Sequence, residues 1–136
     1  ILKSSLKILN CKSLARVFNV ILSDFKILLG CEYINCFSTN NEININDIQI
    51  IDKKVVKSYF SNNTITNLNQ NPKGLLLFFP NKSKQVKSYI LLKINFYGDF
   101  FVIAMGSKDL NKFNPQQQVG LIEYLIKIIE NKIHQL

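Results

Sequence analysis

The chain has 136 residues, 47% of them hydrophobic and 19% charged, a balance that excludes a disordered chain and is typical of a globular domain. Its formal net charge of +8 would suit a nucleic-acid partner, but every basic residue except Arg16 is lysine, and proteins that read phosphates and bases favour arginine. We therefore interpret the charge mainly as drift toward a lysine-rich composition, and no apolar run approaches the ~20 residues of a membrane span.

The first part of the chain predicts a helix that begins after Ser13 and ends at Gly30. Ser13 is a favourable N-cap, and Gly30 stands where a left-handed C-terminal residue is needed. Apolar residues recur between them at steps of three and four: Leu14, Phe18, Ile21, Phe25 and Leu28. A shorter stripe precedes it at Leu2, Leu6 and Leu9. We expect residues 1–136 to form one domain, with 1–9 as the end of an N-terminal helical extension.

The middle of the chain predicts short elements joined by polar loops. Residues 31–38 are rich in strand formers, and a second short strand follows at 47–51. Asp52 is a candidate cap for a brief helix that turns four side chains inward, namely Val55, Val56, Tyr59 and Phe60. A small strand is expected at Ile65–Leu68. The run GLLLFF carries no period, so it is compatible with both a buried strand and a short helix.

Residues 85–96 and 99–106 predict two further strands, separated by the hairpin signal Tyr97-Gly98-Asp99. Both are apolar at nearly every position, so we expect both faces of their sheet to be covered.

The last predicted element is a helix from about Pro115 to His134, with Asn114 as its N-cap. Its apolar residues step by three and four: Val119, Ile122, Ile126, Ile129, Ile133 and Leu136. A second row lies beside the first, made of Leu121, Leu125 and Ile128. One face of a sheet usually buries only one such row of a helix, so the second row needs another partner.

The catalytic motifs that the sequence suggests are incomplete. Gly106-Ser107 ends an apolar strand, but a nucleophile elbow needs a further glycine and a partner histidine, and His134 falls in the last turn of a helix. Three cysteines argue against a disulfide framework and for a reducing, cytoplasmic setting. Cys31 and Cys36 are expected on opposite faces of a strand. We expect no enzyme, no metal centre and no cofactor.

The order of the elements, together with the stretch from Gly98 to Ile133, resembles a GAF-like domain. The closest resemblance is to the bacterial GAF-like family described only as a domain of unknown function. The matching features are a strand that begins at Ser88, the Tyr97-Gly98 turn, the corner Gly106-Ser107-Lys108-Asp109 and the sequence Phe113-Asn114-Pro115. The resemblance runs from about residue 10 to the end, and Gln116 departs from it by replacing a glycine.

The resemblance implies an α+β fold of α/β/α-like layers. A central antiparallel sheet would carry the N- and C-terminal helices on one face and short helices and loops on the other. It implies that the Gly-Ser-x-Asp corner is where the last strand leaves the sheet, with Phe113 packing the following linker onto the core.

The function implied by the resemblance is that of a non-catalytic sensory domain in signalling, which binds a small ligand or acts as a dimerising interaction module. If a pocket exists, we expect its lining to be Tyr59, Phe60, Phe79, Ser88 and Met105, although aromatic residues more often fill a core than bind a ligand. We expect a homodimer through the terminal helices, with five residues at the interface: Val119, Ile122, Ile126, Ile129 and Ile133.

The alternative function is an accessory protein that contacts DNA or a DNA-processing partner such as a site-specific recombinase. Genes of the resembling family often lie beside such a recombinase. The basic charge fits this alternative, but charge by itself is weak support for a nucleic-acid partner.

Overall fold

A computed structural model describes residues 2–67, 72–113 and 120–136. Within these ranges the helices are α1 (Leu2–Leu9), α2 (Leu14–Leu29), α3 (Lys53–Phe60), α4 (Pro72–Phe78) and α5 (Gly120–Gln135). The strands are β1 (Tyr33–Ser38), β2 (Ile48–Ile50), β3 (Ile65–Asn67), β4 (Ser88–Phe96) and β5 (Asp99–Ser107). None of the helices in the described part of the chain has the length and apolarity needed to cross a bilayer.

The strands of the described residues form one mixed sheet in the order β2-β1-β5-β4-β3. Three of the strand pairs are antiparallel, as predicted, but β1 and β2 run parallel. The irregular segment between them carries the chain back along β1, so that β2 begins opposite Cys36 in the middle of that strand. The sheet with helices on its faces confirms the predicted α+β class.

Each face of the sheet has its own core. The first cluster packs the sheet against α1, α2 and α5, and Phe18 on α2 contacts Phe101 on β5 with 4.8 Å between ring centroids. The second cluster packs the other face against α3 and α4, with Phe37 and Phe78 in an edge-to-face contact. The predicted layers, terminal helices on one side and mid-chain segments on the other, are confirmed.

The helix ends follow the predicted capping chemistry. The Ser13 side chain accepts a hydrogen bond from the Arg16 amide at the start of α2, and Gly30 ends that helix with φ of 65°. The Asp52 side chain likewise accepts from the Lys54 amide at the start of α3. Short polar caps in the sequence therefore fix the bounds of both helices.

The hairpin between β4 and β5 turns at Tyr97 and Gly98, which have φ of 49° and 83°. Two consecutive residues with positive φ match the twist of the flanking strands. The predicted hairpin is therefore confirmed at the predicted residues.

The run GLLLFF, which the sequence left undecided, forms most of α4. Phe78 and Phe79 are buried while Leu76 is 64% exposed, so the segment presents one helical face to the sheet. Gly74 permits this packing, because a Cβ at that position would lie 2.0 Å from the Tyr89 hydroxyl oxygen.

Helix α1 departs from its predicted stripe, since Leu6 and Leu9 are about half exposed while Ser5 and Ile8 are buried. Burial of Ile8 in the first cluster sets this rotation, and a partly exposed ion pair of 3.0 Å joins Lys7 to Asp24 on α2. The hydrogen bond from Lys7 lowers the pKa of the Asp24 carboxyl below its ordinary value, against the opposing effect of burial.

The predicted start of the last helix lies partly outside the described residues. Asn114, Pro115 and Val119 lie outside the described residues, as does Leu68 at the end of the predicted small strand. The rest of the predicted terminal helix is confirmed by α5 (Gly120–Gln135).

The contact between Gly74 and Tyr89 predicts a coupled effect on stability. Gly74→Ala should lower the free energy of unfolding by about 1–3 kcal/mol, because the new methyl group overlaps the buried Tyr89 hydroxyl. In a Tyr89→Phe background the same change should cost clearly less, since the overlapping oxygen is gone. Urea unfolding of the four proteins measures both costs.

Gly120→Ala is the matched control, because nothing lies within 4 Å of a Cβ at that position, and it should leave stability unchanged or raise it slightly. Equal costs of Gly74→Ala in the two Tyr89 backgrounds would contradict the proposed overlap.

Candidate functional site

The five residues predicted to line a pocket do not come together in the structure. Tyr59, Phe60 and Phe79 belong to the core under α3 and α4. Met105 belongs to the core on the opposite face of the sheet, and Ser88 shares the face of Ile90, which also lies there. The expected single pocket is therefore corrected, because alternate strand residues point to opposite faces of a sheet.

The three aromatic residues of that set pack among other rings. Tyr59 meets Phe78 edge-to-face at 5.3 Å, and Phe79 meets Tyr89 in the same way at 5.6 Å. Phe60 lies near the ammonium of Lys93, 5.7 Å from its ring centroid. Tyr59 and Phe60 therefore pack in the core, as aromatic residues usually do.

Ser88 has a structural role at the end of β4. Its hydroxyl donates to the Asp109 carbonyl at 2.6 Å and accepts from the Phe113 amide at 3.2 Å. Phe113 is buried, so this serine fixes the segment after β5 onto the core. The linker packing implied for Phe113 is thus observed.

The Gly106-Ser107 corner is likewise a joint between β5 and the turn that follows. The Ser107 hydroxyl accepts from the Asp109 amide at 3.0 Å, and the Glu32 carboxylate accepts from the Lys108 amide at 2.6 Å. Ser107 is buried, and a side chain at Gly106 would press on Phe79 and Val86. These contacts describe a tight packed turn.

The isoleucine stripe predicted for a dimer interface is buried inside the chain. The exposed fraction of every described member is 4% or less: Ile122, Ile126, Ile129 and Ile133. These side chains pack in the first cluster with α2 and the sheet. The expected interface is corrected for these four residues, because the chain's own core already covers them; Val119 lies outside the described residues.

All three cysteines lie in the first cluster as free thiols. Cys31 precedes β1, so it does not alternate with Cys36 and both reach the same core, contrary to prediction. Burial raises the pKa of all three thiols, and the nearby Glu32 charge helps to raise the pKa of Cys31 to about 11. No group of His, Cys, Asp and Glu within residues 2–67, 72–113 and 120–136 could hold a metal ion.

A cavity of about 270 Å³ lies at the edge of the sheet beside β1, and we call it the edge cavity. Its apolar lining consists of Ile34, Phe79 and Pro80. Its polar lining consists of Lys26, Tyr33, Asn35, Gln49, Asn81 and Lys82. The residues come from α2, β1, β2 and the turn after α4, so the cavity exists only in the folded chain.

The edge cavity is open because β2 covers only half of β1. The parallel ladder begins at Cys36 and leaves Tyr33, Ile34 and Asn35 without a neighbouring strand on that side among the described residues. Asn35 is fixed in place, since its side-chain amide donates to the Phe78 carbonyl at 2.9 Å. This part of the sheet therefore combines hydrogen-bonding groups with an apolar floor.

Sequence reasoning found only Phe79 among the residues that line the edge cavity. In the sequence, nothing distinguishes Lys26 and Lys82 from other solvated lysines. Gln49 lies in a short strand between polar loops. No spacing or motif joins them, because they approach one another only through the parallel pairing of β1 and β2 and through the α4 turn.

Comparison with protein-family models places the chain in a family. A family model described as "Protein of unknown function, DUF484" matches residues 6–136. The chain belongs to this family. No curated protein matches it. For this DUF484 chain, the comparison fixes the family and leaves its function to be inferred from the residues of the site.

The environment of the cysteines in this DUF484 protein predicts slow thiol chemistry. Near neutral pH iodoacetamide should label the folded protein very slowly, because burial keeps the thiols protonated and out of reach, and should label all three thiols after unfolding in urea. Mass spectrometry counts the alkylated sites.

Ser58→Cys supplies the positive control, since Ser58 is exposed on α3 and a cysteine there should react at once. Rapid labelling of Cys11, Cys31 or Cys36 in the folded protein would contradict the buried placement.

Proposed function

We propose that this chain is a non-catalytic, GAF-like sensory or interaction domain that binds a small molecule in the edge cavity. The observation that carries the proposal is the cavity itself, in which polar side chains surround an apolar floor at an incompletely covered sheet edge. Ligand sites in proteins are concave and combine apolar walls with a few placed polar groups. The GAF-like resemblance supports a ligand-binding role, but it implies a site between a sheet face and its covering loops, whereas the edge cavity lies at the edge of the sheet.

Two of the reactive side chains, Glu32 and His134, have structural partners, and this supports a non-catalytic role. Glu32 accepts from the Lys108 amide, and a His134 ring nitrogen lies 3.2 Å from the Asn95 carbonyl. The thiols are buried in the core. A general acid or base needs a group that can reach a substrate, and none of these points into the edge cavity.

Native mass spectrometry tests the ligand-binding proposal. Protein incubated with a dialysable metabolite extract should retain a small-molecule adduct, and Gln49→Trp should abolish it, because the indole would occupy the cavity. Ile50→Trp is the matched control: Ile50 is the next residue of β2, is 53% exposed and does not line the cavity. It should retain the adduct.

The absence of any adduct on the natural protein would overturn this function. Equal retention by Gln49→Trp would place the ligand elsewhere in the molecule. Thermal unfolding of the two tryptophan variants verifies that both are folded.

We also propose that the chain forms a homodimer through the outer faces of its terminal helices. Helices α1 and α5 pack together, and the Lys132 ammonium donates to the Leu9 carbonyl at 2.7 Å. Their outer faces carry large apolar residues that are 40% to 51% exposed, namely Leu6, Leu9, Leu121, Tyr124 and Leu136. Leu121 belongs to the second apolar row of the last helix, whose Leu125 is buried in the core, and Leu6 and Leu9 extend the exposed surface across α1. A second copy would remove the surface from water.

Light scattering at ~100 µM should give twice the mass of one chain, since an interface that exceeds about 1,000 Å² keeps a dimer together. Leu121→Glu with Tyr124→Glu should give a monomer, because the new charges would be buried at the interface. Ile27→Glu, at a residue 86% exposed on α2, should leave the dimer intact. A natural protein that scatters as a monomer would contradict the proposal.

Contact with DNA or a DNA-processing partner such as a recombinase is the alternative function, and its support is the formal charge of +8. Binding of a random duplex that weakens as salt rises would favour it. Absence of retardation at ~50 mM salt would remove it, because counterion release is then most favourable.

A further inference from the structure

We propose that the edge cavity takes a small organic anion. Its carboxylate or phosphate lies between Lys26 and Lys82, and the rest of the molecule lies along the backbone N–H and C=O groups of Ile34. This inference rests on the proposed ligand-binding function and gives the chemical class of the ligand.

The charges around the edge cavity favour an anion. Lys26 lines the cavity from α2 and Lys82 from the turn after α4, so positively charged residues border it from two different layers. Neither lysine forms an ion pair with an acid of the described residues. The described lining includes no carboxylate, while the Asn81 and Gln49 amides can donate hydrogen bonds. An anion between two such lysines gains charge-assisted hydrogen bonds.

The acid nearest along β1 does not cancel this charge. Glu32 accepts from the Lys108 amide at 2.6 Å and contacts the Ser107 hydroxyl at 3.4 Å on the β5 side of the strand. Its carboxylate is therefore already bound, and Glu32 is not part of the cavity lining.

The hydrogen bonds of β1 show which of its backbone N–H and C=O groups face the edge cavity. The Thr39 amide donates to the Phe100 carbonyl of β5, and the Ser38 carbonyl accepts from the Ile51 amide on the β2 side. Successive residues of a strand direct their backbone N–H and C=O groups to opposite sides. Ile34 lies an even number of residues from Ser38, so its N–H and C=O also point away from β5. The ladder to β2 begins only at Cys36, so no described strand meets these groups.

At the opposite edge of the sheet, side chains bind the corresponding backbone groups. Beyond the short strand β3, the Asn95 amide donates to the Glu130 carboxylate at 3.2 Å, and the Asn95 carbonyl lies 3.2 Å from the His134 ring nitrogen. Side chains of α5 thus close that edge. No described side chain does the same for Ile34, which is buried and borders the edge cavity. A ligand with hydrogen-bonding groups would satisfy this edge.

The volume limits the size of the ligand. A cavity of about 270 Å³ lies near the lower end of the volumes of small-molecule sites, about 300 Å³. It suits a small metabolite with one acidic group.

Calorimetric titration at low salt with matched probes tests the class of ligand. N-acetylglycine carries a carboxylate and an amide, whereas N-acetylglycinamide has the same shape without the charge; inorganic phosphate tests a phosphate group. We expect saturable binding of N-acetylglycine or phosphate, and binding of the neutral amide that is at least about tenfold weaker. The probe that binds more tightly tells a carboxylate site from a phosphate site.

Lys26→Gln with Lys82→Gln should weaken binding of the anion about tenfold, because both charges are removed while the length of the side chains is nearly kept. Lys54→Gln with Lys127→Gln is the matched control, since both lysines are exposed, lie on α3 and α5, and are absent from the lining. This control loses the same net charge and should keep the affinity.

Equal binding of the acid and its amide, equal loss in the two double variants, or no binding of either anion would overturn the anion assignment. These results are distinct from failure of the proposed function. An adduct that Gln49→Trp abolishes while both anions fail to bind means that the cavity takes a neutral ligand. Loss of the adduct itself overturns the function as well.

Discussion

Strands β4 and β5 are buried on both faces over most of their length, and the rest of the fold follows from this constraint. Ile90 and Leu92 point to the terminal helices, while Tyr89 and Leu91 point to α3 and α4. At about 25 cal/mol per Å² of apolar surface, each face stabilises the fold only if another element covers it. The terminal helices and the mid-chain segment are therefore equally necessary.

One cation interrupts the apolar face under α3. Lys93 is buried, and its ammonium lies 4.9 Å from the ring centroid of Phe100 and 5.7 Å from that of Phe60. Attraction between a cation and the faces of aromatic rings partly offsets the cost of removing the charge from water. Phe60, whose position suggested a ligand pocket, instead covers this lysine.

The two sides of the sheet differ in how their peptide groups are satisfied. Strand β3 is short, and residues of α5 complete the hydrogen bonds of β4 beyond it, so the last helix serves both as core and as cover for an edge. Strand β2 is equally short, but the edge cavity, and not a helix, lies beside the part of β1 that it leaves uncovered. The proposed site thus lies where the sheet is least complete. Binding residues are found more often at such positions than in packed regions, whose residues serve stability.

The sequence by itself determined the elements whose signals are local. Ser13, Gly30 and the Tyr97-Gly98 turn act through their own backbone, and the long apolar strands required cover on both faces wherever they lay. Only the tertiary structure decided that GLLLFF is a helix, because Phe78 and Phe79 pack on the sheet, and Gly74 against Tyr89, through contacts between residues distant in the sequence. It also decided which apolar residues of α5 are buried, and it assembled the edge cavity from four separate segments. Contacts between residues distant in the sequence leave no periodic pattern along it, so no local signal could have shown them.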